Sequence, residues 1–279
     1  MAGRTIGYIQ SKHHETSTTE MNRRIRRLIR ANTNIAKYLL SSFTAPKKAR
    51  SFLAHVYLFD PEPESKYIPG RSLFELFPKA QDEPVVFKKA CVEHGNMTHE
   101  ELYSICLLER CVRPKAIFEI GTFNGNTTFH LALNAPPESR IWTLNLPGEK
   151  VAPLFSHSAQ DRMVVRDKVR SGERFHNTPE AARITELFGD SALFDYSLFK
   201  NNMDFVLIDA GHEYESVKND TNKALEMLTD SGWLVWHDYP TAPGVADFLD
   251  EFARGENVFR IPNTRLAYSQ IRKRAKTPP

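Results

Sequence analysis

Four residues at the ends of two apolar runs carry the most visible chemistry in this chain. FVLIDAGHEYESVKND, residues 205–220, leads through apolar side chains to Asp209, followed by Gly211, His212 and Tyr214. A second run closes on Trp236-His237-Asp238-Tyr239. An acid that ends an apolar strand lies at the edge where α/β sheets bind ligands. If the two strands are neighbours, Asp209 and Asp238 project into one mouth, and carboxylates so placed suit a hard divalent cation. His212 and His237 add imidazoles, which titrate at about 6.5 and remove protons near neutral pH. A second reading of His212 stays open: it caps the following helix or bonds to Asp209.

The elements that must carry these groups alternate along the chain. Thr98-His99-Glu100-Glu101 has the pattern of a capping box opening a helix to about Cys111, stopped by Arg113-Pro114. Strands are expected at Ala116–Ile120, Ile141–Leu144, Arg183–Phe188, Asp204–Ile208 and Trp233–Trp236. Helices are expected at Asn126–Asn134, within 157–170, at Glu213–Leu228 and at Gly244–Arg254. Thr178-Pro179-Glu180 is an alternative helix start beside the third strand. Val258–Ile261 and Leu266–Gln270 read as terminal strands joined by a Pro-Asn turn. Strands alternating with helices predict a mainly parallel sheet covered on both faces. The fold class expected is α/β: a Rossmann-like, doubly wound, seven-stranded sheet with a C-terminal antiparallel hairpin and a helical N-terminal extension.

Two domains are expected, an extension at 1–97 and the α/β domain at 98–279. The first 19 residues are polar. From Met21 to Leu40, apolar residues follow one helix face and arginines the other. Such a basic amphipathic helix lies on an anionic membrane, docks on a partner or covers its own domain, and all three readings stay open. Residues 60–85 are proline-rich and read as an ordered linker with little regular structure. Residues 21–50 hold nine Lys or Arg and no acid, so without them the net charge of +3 becomes −6. A nucleic-acid groove across the folded body is therefore not expected. The start of the chain lacks the apolar core of a secretory signal, and no run approaches a membrane span. Three cysteines without metal-ligand spacing fit reduced thiols, and the expected location is cytoplasmic, with peripheral membrane contact through residues 21–40 left open. A homo-oligomer is neither indicated nor excluded.

The first strand ends in FEIGTFNGNTTFHLAL, residues 118–133, with the spacing Glu119-x-Gly121-x-x-x-Gly125. This is neither the G-x-G-x-x-G of dinucleotide sites nor a Walker loop. The loop resembles motif I of the class I S-adenosylmethionine-dependent methyltransferases. Three further segments match that family in order: Trp142-Thr143-Leu144-Asn145-Leu146, Phe188-Gly189-Asp190-Ser191-Ala192 and the Asp209–Tyr214 segment. The last is similar to the branch that holds metal-dependent O-methyltransferases and cephalosporin-hydroxylase-like members, and the likeness covers about 113–271.

What the resemblance implies is a cofactor site. Glu119, Gly121, Thr122, Phe123, Asn124, Gly125 and Thr127 would surround the amino acid half of S-adenosylmethionine. Asn145 and Leu146 would meet the ribose, where the family usually has an acid; the amide keeps hydrogen bonds but loses the charge. Asp190, Ser191 and Ala192 would flank the adenine, and Asp209 would reach both cofactor and catalytic centre. The implied metal ligands, for Mg²⁺ or another divalent cation, are Asp209, His237 and Asp238. His237 is then a third ligand or a base, and His212 the other candidate base. The implied reaction is O-methylation of a small hydroxylated molecule, a sugar or natural-product intermediate. Non-methylating chemistry on the same fold, or a scaffold recruited through residues 21–40, are the rival readings. The lid selecting the acceptor is expected from 60–97, 148–180 and 239–245.

Overall fold

The computed structural model describes residues 67–92, 95–146 and 171–273. The expected tail at 1–19, the basic helix at 21–40, the helix within 157–170 and most of the 148–180 lid lie outside them. Seven strands form one sheet: β1 (Ala116–Ile120), β2 (Arg140–Asn145), β3 (Ile184–Phe188), β4 (Met203–Ile208), β5 (Leu228–Trp236), β6 (Phe259–Arg260) and β7 (Ala267–Gln270). Their order is β3-β2-β1-β4-β5-β7-β6. The first five run parallel, and β7 pairs antiparallel with β5 and with β6. The doubly wound sheet and its terminal hairpin are thus as expected.

The pleat sorts the core into two layers. Phe118, Ile120, Val206, Ile208, Leu234 and Trp236 face one side. There they meet Val217 and Ala224 of α4 (Tyr214–Met227) and Val245, Phe248 and Leu249 of α5 (Pro243–Phe252). Ile117, Ile141, Phe205, Leu207 and Val235 face the other. They meet Leu102, Ile105, Cys106 and Leu108 of α2 (His99–Val112) and Leu131 and Ala132 of α3 (Asn126–Asn134). Both sheet faces are covered, which is why the central strands are apolar on both sides. Among the described residues no helix is long and apolar enough to cross a membrane.

Two local expectations are corrected. The proline-rich linker contains α1 (Leu73–Leu76), opened by a capping box in which Ser72 accepts from Phe74 N and Glu75 accepts from Ser72 N, and then a 3₁₀ turn at Pro78–Asp82. Leu73, Ala80 and Met97 join the α2–α3 core layer, so burial supplies the order that local propensity lacks. β5 begins at Leu228 rather than Trp233 because Met203 pairs with Leu228 before the register shifts to Phe205–Trp233. Gly232 therefore marks a bulge inside the strand rather than its start.

The strand order reverses between β1 and β4, and the backbone past their ends stays in contact. Asp209 N donates to Ile120 O at 2.9 Å, and Gly121 N to Leu144 O at 2.9 Å. Gly121 has φ +112°, and a Cβ there would lie 1.8 Å from Asp209 O. Side-chain substitution at this position thus meets both a disfavoured backbone and an immovable carbonyl. Gly121→Ala should cost ~3 kcal/mol or more in a urea unfolding titration, among the largest single-residue effects. A change within ~0.5 kcal/mol would refute the close approach.

Candidate active site

The carboxyl ends of β1, β2, β3 and β4 form one continuous edge holding the expected cofactor residues. Glu119 is fully buried under the glycine loop. Its Oε2 accepts from Thr128 Oγ1 and, at 2.7 Å, from Thr143 Oγ1, while Thr122 Oγ1 lies 2.7 Å from Thr143 Oγ1. Its Oε1 is buried and has no hydrogen-bond partner among the described residues. Burial chiefly, with the charge of Asp209 adding to it, outweighs the two threonine hydrogen bonds and pushes the carboxyl up to about 8. Asn124 Oδ1 accepts from Asn126 N at 3.0 Å and so satisfies an N-terminal donor of α3, whose cap Gly125 is left-handed. Phe123 is left-handed too, and its ring packs against Gly95; Thr127 is buried.

At the end of β2, Asn145 is buried and its Nδ2 donates to Ser171 Oγ, which in turn donates to Glu186 of β3. Leu146 follows, half-buried. Past β3, Asp190 Oδ1 accepts from Ala192 N at 2.9 Å, closing a turn, and Ser191 O accepts from Tyr196 Oη at 3.2 Å. A buried carboxyl oxygen left unpartnered beneath a loop with no room for a Cβ at Gly121, flanked by an amide and a Gly-Asp turn, fits a polar nucleoside ligand. S-adenosylmethionine meets that description.

The second group lies beside it, past β4 and β5. Ile208 pairs with Trp236, and His237 N donates to Ile208 O at 3.1 Å, so Asp209 and His237 stand level on neighbouring strands. His212 Nε2 lies 2.7 Å from Asp238 Oδ2. Because a carboxylate only accepts, Nε2 carries the proton and Nδ1 is the basic nitrogen of the neutral ring. Gly244 lets this loop pass: a Cβ there would come within 2.4 Å of His212 O. Asp238 has φ +65°, a left-handed conformation that aspartate tolerates better than most residues.

Asp209, His212 and Asp238 can each present one ligand atom within 4.8 Å of the others. The mixed oxygen and nitrogen set fits a divalent cation and leans toward a transition metal rather than Mg²⁺. His237, expected as a third ligand or a base, stands behind that trio. Its Nδ1 is 3.0 Å from Asp209 Oδ1 and 3.1 Å from Asp238 Oδ2. Its Nε2 is 3.3 Å from Glu101 Oε2 but off the hydrogen-bonding direction. Burial opposes its charge, yet Asp209 and Asp238 outweigh burial and hold the imidazole well above its usual range. Its Nδ1 is turned to the two aspartates, and the group of ligand atoms lying within reach of one another has His212 in its place.

Two further residues complete the cluster, and neither was singled out for chemistry in the sequence. Arg265, in the turn before β7, donates from Nη1 to Asp238 Oδ1 at 2.6 Å. Glu101 accepts from Arg265 Nε at 2.7 Å and from Nη2 at 2.9 Å. Burial would raise Glu101, but His237 and Arg265 outweigh it and hold the carboxyl well below the usual range. Burial likewise opposes the charge on Asp238, and His237 with His212 overcomes it.

Residues 118–239 match the family model described as a methyltransferase domain. That span runs from Phe118 in β1 through Tyr239 and includes the glycine loop, Asp209 and Asp238. No curated protein matches the chain. Among solved structures, the chain is similar to the O-methyltransferase TomG of Streptomyces achromogenes, involved in tomaymycin synthesis and solved with SAM. Identity is 16%, coverage 75% of this chain and 94% of that one, and the TM-score 0.46. An O-methyltransferase of Bacillus cereus in complex with SAH is 15% identical, with coverage of 85% and 99% and a TM-score of 0.44.

The buried Glu119 carboxyl makes folding stability depend on pH. Its folded-state value, about 8, lies above the ordinary 4.5, so the folded state favours the protonated acid. That contribution to stability is complete below the unfolded value and is lost as pH rises toward the folded one. Glu119→Gln should therefore flatten the fall in stability between about pH 5 and pH 8. At pH 8 it should be more stable than the parent by on the order of a few kcal/mol, read from urea midpoints across that range.

Proposed function

We propose that this chain is an S-adenosylmethionine-dependent O-methyltransferase that acts on a small hydroxylated acceptor, with the acceptor hydroxyl activated at Asp209, His212 and Asp238. The observation that carries the reading is the adjacency of two sites. The strand edge that holds the unpartnered Glu119 Oε1 abuts, through the Gly121–Asp209 backbone contact, a half-buried acid–imidazole group. Methyl transfer needs that adjacency, because nucleophile, methyl carbon and sulfur must align within contact distance.

In the proposed reaction the acceptor oxygen forms a bond to the methyl carbon as the sulfonium C–S bond breaks. The thioether leaves neutral, and the hydroxyl proton passes to a base. Asp238 holds His212 by Nε2–H, which directs Nδ1 as proton acceptor, and Asp209 supplies an acceptor for orienting the hydroxyl. His237 and Arg265 neutralise the two aspartates without entering the chemistry. A divalent cation, when held by Asp209, His212 and Asp238, would supply Lewis-acid lowering of the hydroxyl pKa. A cation-free reading is favoured by one contact set: both oxygens of Asp238 already face cationic or donor groups, Arg265 on one and His212 with His237 on the other.

Calorimetry with S-adenosylhomocysteine should show one site, and no binding would sink the proposal. In a panel of hydroxylated acceptors, Asp209→Asn and Asp238→Asn should each lower turnover by ~100-fold or more. Full activity in both would exclude this site. Chelator then separates the two versions. Loss restored by Mn²⁺ assigns the cation, whereas chelator-resistant turnover that vanishes in His212→Asn assigns the imidazole alone.

A further inference from the structure

Glu101 opens α2, on the far side of the sequence from the acids it meets. Its capping box needs one oxygen, and Oε2 provides it by accepting from Thr98 N at 2.8 Å. The carboxylate does much more than that. Oε1 accepts from both the backbone N and the Nε of Arg265, at 3.0 and 2.7 Å, and Oε2 also accepts from Arg265 Nη2 at 2.9 Å. The guanidinium is thus held as a fork, its orientation fixed by two parallel bonds. With that edge occupied, Nη1 is aimed at Asp238 Oδ1. Arg265 O accepts from Tyr239 N at 3.1 Å, tying down the residue after Asp238 as well. On the other branch Glu101 stands 3.3 Å from His237, whose Nδ1 faces Asp209 and Asp238.

We propose that Glu101 and Arg265 are positioning residues of the acceptor site, holding Asp238 through Arg265 in the arrangement that lets His212 act. The inference rests on the O-methyltransferase reading for its purpose but on contacts alone for its content. Asp238 occupies a left-handed backbone, where its side chain has no strand pleat to direct it. Its orientation comes from the groups around it. Arg265 takes one oxygen and the imidazoles take the other, so freeing Arg265 lets the carboxylate turn away from His212. Glu101→Gln keeps the size and the acceptor for Thr98 N but removes the charge and one of the acceptors that bind the fork. Arg265→Lys keeps the charge but cannot make the fork.

The test uses the full chain. Crystal structures of the parent, Glu101→Gln and Arg265→Lys are compared at the Arg265–Asp238 and His212–Asp238 contacts, 2.6 and 2.7 Å in the parent. In Glu101→Gln both contacts should open beyond ~3.5 Å. In Arg265→Lys the His212–Asp238 contact should open likewise. Outer partners of this kind typically contribute 10–100-fold, so kcat should fall by about that factor, with S-adenosylhomocysteine affinity unchanged. Affinity for Mn²⁺ alone, if the parent binds it, should fall in parallel. Retained contacts with parental kcat overturn the proposal, as does a lower melting temperature with site geometry intact, which would leave Glu101 a cap only. If Glu101→Gln does not fold, Arg265→Lys decides by the same distances. A parent that binds no S-adenosylhomocysteine and transfers no methyl group defeats the enzymatic reading, while the measured contacts still judge the positioning claim.

Discussion

Charge compensation in a confined space governs this structure. Three carboxylates, Glu101, Asp209 and Asp238, converge at the carboxyl edge of the sheet, and Glu101 is fully buried. Carboxylates this close repel, and each loses hydration on burial. The arrangement holds because His237 and Arg265 stand between them, each touching two or more acids. Breaking such a group from one side leaves the remaining charges uncompensated, which is more damaging than the loss of one contact. The members come from the start of α2, the ends of β4 and β5 and the turn before β7. The site therefore exists only when helix, sheet and hairpin are all in place.

The cofactor edge depends on a different constraint, that of backbone approach. Where the strand order reverses, loops from β1 and β4 leave in opposite directions, and the gap between them is where a ligand can lie across strand tips. Here the gap is narrow at its base, since Asp209 follows β4 in hydrogen bond to Ile120 and its carbonyl fills the space a Cβ of Gly121 would need. The acid at the ligand edge is thus set by sheet register rather than by loop conformation.

Much of this was legible in the sequence, for stated reasons. Ile117, Phe118 and Ile120, and Phe205 to Ile208, are apolar because both sheet faces are covered, so β1 and β4 stood out. Asp209 and Asp238 were found because each follows such a run. The start of β5 was not, because the bulge at Gly232 is a property of its pairing with Met203. Nor was α1, whose Ser72-x-x-Glu75 signal lies among prolines. His237 was singled out, but its setting was not. Trp236 points to the α4 face, where Nε1 donates to Thr221, so the next residue in the pleat turns to the α2 face and meets Glu101. Glu101 and Arg265 lie 164 positions apart, and no local pattern reports a pair at that separation. The capping box at Thr98 was visible, and it concealed the second role of its own glutamate.

That double duty limits how the position can vary over generations. A helix opening usually drifts freely among Glu and Gln, because either will close a capping box. At residue 101 the amide satisfies the helix and not the guanidinium, so two otherwise independent selection pressures fall on a single codon. Relief can come only through paired change, with the turn before β7 altering its cation in step. In homologues, covariation between these two distant sites would be the genetic trace of a shared carboxylate.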